Sequence, residues 1–378
     1  MSRLKARVWY SRGLSNVYDA LRILREADTA GELTLLASHA RREVPAVRAA
    51  DEAWLEPASP ISDERFVDWC LDACREHRVD VFVPGRRVQA LSGAKDRFAE
   101  SGTRLLVPAG PEALARIDRK DQFYLDMAED AVLPGAVALP DYHICKTVDE
   151  FDAACAALAL DHPRLCVKPV VSTFGLGFHT LVAEDDEYRR FLGGDPTPVS
   201  FASARRAIAS ARHPRELMVM EYLPGPERSV DCLASAGTLV TAVARVKRGE
   251  FQVLETEGPA IEAARAVVRR YGIDGIINVQ TRDARGSSRL LEANARMSGG
   301  LLYACASGVA FPYWAVRLAL GWSVPADVPL PRSGLRVAPT QGMVVVGEGE
   351  GEGAMNRAPP RAQRGSATSR TGSSSTMP

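Results

Sequence analysis

Across the first hundred residues, short β-rich runs alternate with amphipathic helical segments: ARVWYS, SNVYDALRILREA, LTLLASH, RFVDWCLDACREH and VDVFVPG follow one another between Ala6 and Gly85. Strands separated by helices pair in parallel through crossovers, and a parallel sheet has both faces covered. The expected fold of residues 1–110 is therefore an open α/β parallel sheet. Pro108 to Pro111, in VPAGPEALARIDRK, punctuate the junction to the next unit. The first strand-to-helix turn, YSRGLSN, carries only Gly13 and not G-x-G-x-x-G, which argues against a dinucleotide site of the Rossmann kind.

From Leu165 to Gly300 the pattern changes. RLCVKPVV, a glycine loop, ELMVMEYLPGPE, SVDCLASAGTLVTAVARV, the helical AIEAARAVVRRYG and GIINVQTRDARGSSRLLEANAR read as paired strands with turn signals plus one helix. This predicts antiparallel sheets and an α+β domain over residues 111–335. Residues 336–378 are expected to form a reduced C-terminal segment and a disordered tail, because GEGEGEGAMNRAPPRAQRGSATSRTGSSSTMP has too little apolar surface to offset ordering entropy.

With 47 basic and 47 acidic side chains, the chain offers no electrostatic reason to expect a nucleic-acid or membrane partner. No apolar run reaches the roughly 20 residues of a membrane span, and MSRLKARVWYSRG lacks the apolar core of a secretory signal, so the expected compartment is cytoplasmic. Seven cysteines without a C-x-x-C pair are expected to be reduced. Cys70, Cys74 and His77 share one helical face, for which burial is a better reading than metal.

The segment NVQTRDARGSSRLLEAN sets Gln280 six residues before Gly286 and Glu292 six residues after it. A turn centred on that glycine makes the two cross-strand neighbours, about 5 Å apart at Cβ. By the period of two, Asn294 and Arg296 join Glu292 on one face, with Leu291, Ala293 and Ala295 on the other. Gln280, Glu292 and Asn294 are oxygen donors suited to a hard divalent cation, Mg²⁺ rather than zinc. In RLCVKPVVSTFGLGF, Lys168 on a strand precedes Gly175 and Gly177, a fixed positive charge beside mobile N–H donors that suits a polyphosphate. In ELMVMEYLPGPERSVD, an apolar strand, a Pro/Gly turn and Glu227 suit a base edge and a ribose.

In this order and spacing, the three segments resemble the ATP-grasp superfamily over roughly Arg7 to Gly321, with a metal segment most similar to that of carbamoyl phosphate synthetase. The resemblance implies that an α/β pre-ATP-grasp domain precedes an ATP-grasp domain of two subdomains. It implies that ATP phosphates meet Lys120 and Lys168 under a lid running from Ser172 through Gly175 and Gly177 to Phe178. Adenine would lie against Met220, Glu221 and Leu223, and ribose on Glu227. Gln280, Glu292 and Asn294 would ligate Mg²⁺, with Mn²⁺ as an alternative. Arg296, with Lys168 and more weakly Lys247, would stabilise the transferring phosphate.

The implied activity is an ADP-forming carboxylate-amine ligase: a carboxylate attacks ATP to give an acyl phosphate, and an amine displaces phosphate. The implied partners are therefore small-molecule carboxylate and amine substrates, with a homodimer left open. The alternatives are carboxyphosphate or carbamate phosphorylation, and a non-catalytic ATP-binding regulatory module. Phosphoryl transfer needs positioning and charge neutralisation rather than a protein nucleophile, in keeping with the lack of an evident Ser-His-Asp or Cys-His set.

Overall fold

The computed structural model describes residues 5–13, 16–57, 61–129, 132–172, 175–184, 186, 188, 192–193, 195–340 and 343–346. The tail expected to be disordered, from Gly347 on, lies outside the described residues.

Five strands, β1 (Ala6–Tyr10), β2 (Leu33–His39), β3 (Glu52–Leu55), β4 (Val81–Val83) and β5 (Arg104–Leu105), form a sheet of order β3-β2-β1-β4-β5. Every neighbouring pair is parallel. Alternation along β1 explains its double cover. Val8 and Tyr10 join the core built with the helix Asn16–Ala27, whereas Trp9 joins that of the helix Asp63–Glu76. Trp9 stacks on Phe82 at 4.0 Å. Cys70 and Cys74 are buried in this second core, and His77 stacks on Trp54 at 3.9 Å, as expected of a packing face. All seven cysteines are free. β3 and β5 have no counterpart in the sequence pattern, being short and bordered by polar residues.

After β6 (Val137–Ala138) come β7 (Tyr142–Cys145), β8 (Leu165–Pro169), β9 (His179–Val182), β10 (Pro198–Ser200) and β11 (Leu217–Glu221), the last five in the order β10-β9-β8-β11-β7. All pairs in that sheet are antiparallel except β10 with β9. A larger sheet combines β12 (Glu227–Ser235), β13 (Thr238–Arg248), β14 (Phe251–Glu255), β15 (Gly275–Ala284), β16 (Ser287–Asn294) and β17 (Arg336–Val337) as β17-β14-β13-β12-β15-β16-β6. Its pairs are antiparallel except β16 with β6. The helix Pro259–Tyr271 backs this sheet with a face of small residues, Ala260, Ala263, Ala264 and Val267. This is the α/β-then-α+β class read from the sequence.

Two contacts aim the parallel sheet at the hairpin of β15 and β16. Asn16, opening the first helix, donates from Nδ2 to the carbonyls of Met297 (3.2 Å) and Ser298 (2.9 Å), just beyond β16. Leu106 and Met297 pack against the core that also holds Val316. Among the described residues, no helix is long and apolar enough to cross a membrane.

Candidate functional site

The hairpin turn is Arg285–Gly286, both residues at positive φ (51° and 75°), as a two-residue turn requires. It pairs Ala284 with Ser287 and Arg282 with Arg289, and an irregularity between Gln280 and Thr281 then makes Leu291 an extra residue. Beyond it Gln280 faces Glu292 and Asn278 faces Asn294. The bulge corrects the strict alternation read from the sequence. Leu290 is fully buried opposite Thr281, while Leu291 lines the same cavity as Glu292 instead of the opposite face. Tyr124, itself buried, donates from Oη to the Leu291 carbonyl at 2.8 Å and so holds the bulge.

Asn294 Nδ2 donates to Glu292 Oε1 (3.2 Å), and Arg296 Nη2 to Asn294 Oδ1 (3.1 Å), which fixes carboxylate, amide and guanidinium in one row. Lys120, first residue of the helix Lys120–Ala128, is buried with its Nζ 3.5 Å from Glu292 Oε2 and 3.3 Å from Ser172 Oγ. Lys168 is also buried, over the Tyr124 ring at 5.9 Å. Among the described residues it makes no hydrogen bond or ion pair. Burial pulls its ammonium down to about 8, with Glu292 opposing that shift and Lys120 adding to it.

These residues line a cavity of about 460 Å³, together with Ser172, Gly175, Met220, Glu221, Leu223, Glu227, Lys247 and Gln280. Gly177 is not in the lining. Its φ is +78°, and a Cβ there would lie 2.8 Å from the Pro169 ring, so close approach to β8 is what requires a glycine. Residues 173 and 174 of the expected lid lie outside the described residues. Lys247 Nζ meets Glu227 Oε1 at 3.0 Å, which ties the lysine expected near the transferring phosphate to the carboxylate expected at ribose. At the strand end, Tyr222 N–H is taken by the Arg164 carbonyl, whereas Leu223 N–H has no partner among the described residues.

The sequence reading missed a buried polar cluster on the floor of this cavity. Arg245 donates from Nε to Asp231 (2.7 Å), from Nη1 to Gln252 (3.0 Å) and from Nη2 to Ser229 (2.8 Å) and Ser298 (3.0 Å). Asn278 Nδ2 adds a 2.9 Å bond to Asp231. Gly300 packs against the Arg245 guanidinium so closely that there is no room for a Cβ, which accounts for the last glycine of MSGG. The alternation in SVDCL and TAVARVK gave period-two polar positions but no sign that they pair. Behind the strand, the Glu221 carboxylate is likewise committed, 3.3 Å from Arg289 and 3.4 Å from His162.

A second cavity, of about 770 Å³, shares Lys120, Ser172, Glu292, Asn294 and Arg296 with the first, and is otherwise lined by residues including Arg87 and Gln89 from the parallel-sheet side and Asp118 from the helix Pro111–Asp118.

Residues 213–343 match the family model described as ATP-grasp in the biosynthetic pathway with Ter operon. No curated protein sequence matches the chain. Among solved structures it is similar to an N5-carboxyaminoimidazole ribonucleotide synthetase in complex with ADP, at 15% identity over 89% of this chain and 81% of that one, with a TM-score of 0.60. It is similar to the biotin carboxylase domain of Hydrogenobacter thermophilus 2-oxoglutarate carboxylase with MgADP, ADP and bicarbonate (15%, 84% and 70%, 0.58). It is also similar to an L-amino acid ligase from Bacillus licheniformis (16%, 85% and 76%, 0.58). At such identities the likeness is one of fold.

Proposed function

We propose that the chain, whose residues 213–343 match an ATP-grasp family model and whose fold is similar to that of an ADP-bound synthetase, is an ATP-dependent, ADP-forming ligase that activates a carboxylate as an acyl phosphate for attack by an amine. The observation that carries this reading is Lys168: a buried ammonium without a hydrogen-bonding partner among the described residues, facing a cavity, is costly unless an anion completes it. A nucleotide phosphate chain between Lys168 and Lys120 supplies that anion.

The rest of the lining fits the same ligand. The unpartnered Leu223 N–H can donate to a base edge, and Glu227 can accept from ribose hydroxyls. Gln280, Glu292 and Asn294 offer oxygen donors on facing strands, the set a magnesium ion takes. When bound, the ion would neutralise charge on the transferring phosphate. Glu292 would exchange its contact with Lys120 for the ion, freeing the lysine for phosphate, and Arg296, aligned by Asn294, would face the oxygen that becomes the acyl phosphate. Carboxylate oxygen forms a bond to γ-phosphorus as ADP leaves; the amine then bonds to the carbonyl carbon, phosphate leaves and the amine proton passes to solvent.

The metal row also favours turnover over a purely regulatory nucleotide site, which has no need of Arg296 aligned at its end. The test is ADP release with pooled carboxylates and hydroxylamine as trap. The proposal expects acid-dependent ADP together with a hydroxamate, whereas ATP binding without either product would leave only a nucleotide-binding module.

A further inference from the structure

The second cavity bears on which acid is used. It begins at Lys120, Ser172, Glu292, Asn294 and Arg296, the end of the nucleotide cavity where the phosphate chain would finish, and continues toward the parallel sheet. About 770 Å³ suits organic ligands of many atoms, enough for an acid together with the amine that attacks it.

Most charges on its walls are already committed. Arg87 donates to the carbonyls of Ser62 (2.8 Å) and Ile61 (2.7 Å) and lies 3.2 Å from Asp63, and Lys120 lies against Glu292. Asp118 differs. It closes the helix Pro111–Asp118 and immediately precedes Arg119, the residue that caps the helix Lys120–Ala128. It is exposed to the cavity and has no hydrogen bond or ion-pair contact among the described residues. Desolvation raises its carboxyl, against the opposing pull of Arg296 and Lys120. A carboxylate that faces the cavity without a contact of its own is open to a ligand cation.

We propose that this cavity binds an amino acid as the carboxylate substrate, its carboxylate toward Arg296 and its ammonium on Asp118. Arg296 and Asp118 line the same cavity and present opposite charges to it, the complement of a zwitterion. A dicarboxylate would bring its second anion against Asp118. The inference rests on the ligase reading above and narrows it to one substrate class.

The test uses the full chain with Mg²⁺ and ATP, hydroxylamine as trap, and three sets of probes: the twenty proteinogenic amino acids one at a time, the N-acetyl derivative of any that reacts, and the amine-free acids acetate and succinate. At least one amino acid gives ADP and hydroxamate, and its N-acetyl form gives at least tenfold less. Asp118→Asn raises KM for that amino acid about ten- to a hundredfold, the loss of one charge-assisted hydrogen bond, with the Kd for ATP unchanged and with partial recovery in Asp118→Glu. ADP formation with acetate or succinate but with no amino acid overturns this inference and leaves the ligase reading standing, as does an unchanged KM in Asp118→Asn. ADP formation with no acid at all, while ATP still binds, overturns both.

Discussion

Gln280 and Glu292 face one another across the hairpin although the turn joining their strands does not by itself put them there. Continuing the register set at Arg285–Gly286 would oppose Gln280 to Leu291; the bulge advances the pairing by one residue, and Tyr124 holds its carbonyl at 2.8 Å. In this way Leu290 stays in the core while Glu292, only two residues on, reaches the cavity. A bulge beside a site that re-aims a side chain is a familiar device, and here it aims the carboxylate proposed as a metal ligand.

Glu292→Ala should reduce ADP formation by two or more orders of magnitude, because a lost metal ligand removes charge stabilisation worth several kcal/mol at the transferring phosphate. The side chain is only half-buried, so the protein should still fold, but its removal leaves buried Lys120 without its ion-pair partner and should lower the melting temperature. Steady-state assay at saturating Mg²⁺ beside a thermal melt checks both halves; unchanged turnover counts against Glu292 as a ligand.

Gly300→Ala should destabilise the protein by about 1–3 kcal/mol, since the added methyl must displace the Arg245 guanidinium from a buried network. The neighbouring Gly299→Ala is the control. Nothing lies within 4 Å of its added Cβ, and its φ is not positive, so it should melt close to the parent. Equal melting temperatures for the two variants would mean that Arg245 moves freely.

Lys168 gives stability a pH dependence with a defined sign. Its ammonium deprotonates near 8 in the folded protein and near the ordinary 10.5 in the unfolded chain. Between those values the unfolded state holds the extra proton, so the free protein gains stability as pH rises from about 8 to 10.5, and below 8 that gain is absent. Denaturant melts across this range should show the rise in the parent and not in Lys168→Met. A bound phosphate favours the charged lysine, so nucleotide binding at pH 9 should take up protons, read by calorimetry in buffers of different ionisation enthalpy.

β1, β2 and β4 of the parallel sheet were legible because the strand-helix alternation around them is strongly patterned, and Trp9 and Val8 point as a period of two demands, whereas the short edge strands β3 and β5 carry no such pattern. Gln280, Glu292 and Asn294 were brought together for a reason the sequence concealed: the centre of the turn was misplaced by half a residue, and the bulge at Leu291, an apolar residue among apolar residues, compensated. Gly177 was grouped with Gly175 by composition, but its φ of +78° beside the Pro169 ring serves the chain's own packing. Arg245 went unnoticed because a charged residue on a strand reads as solvent-facing until its partners on β12 and beyond β16 are known. Asp118 left no pattern at all, since one acid near a helix end is ordinary until the cavity in front of it is seen.

The most direct test of the nucleotide site is calorimetric titration of ATP and AMP into the parent, Lys168→Met and Glu227→Ala. In the proposed orientation Lys168 would face the phosphate chain, and a charge-assisted contact there is worth about 1.5–3 kcal/mol, one to two decades in affinity. Lys168→Met should therefore weaken ATP by that factor and AMP far less, while Glu227→Ala weakens both alike. Equal losses for ATP and AMP in Lys168→Met would place the lysine away from the phosphates and contradict the orientation of nucleotide on which every assigned role depends.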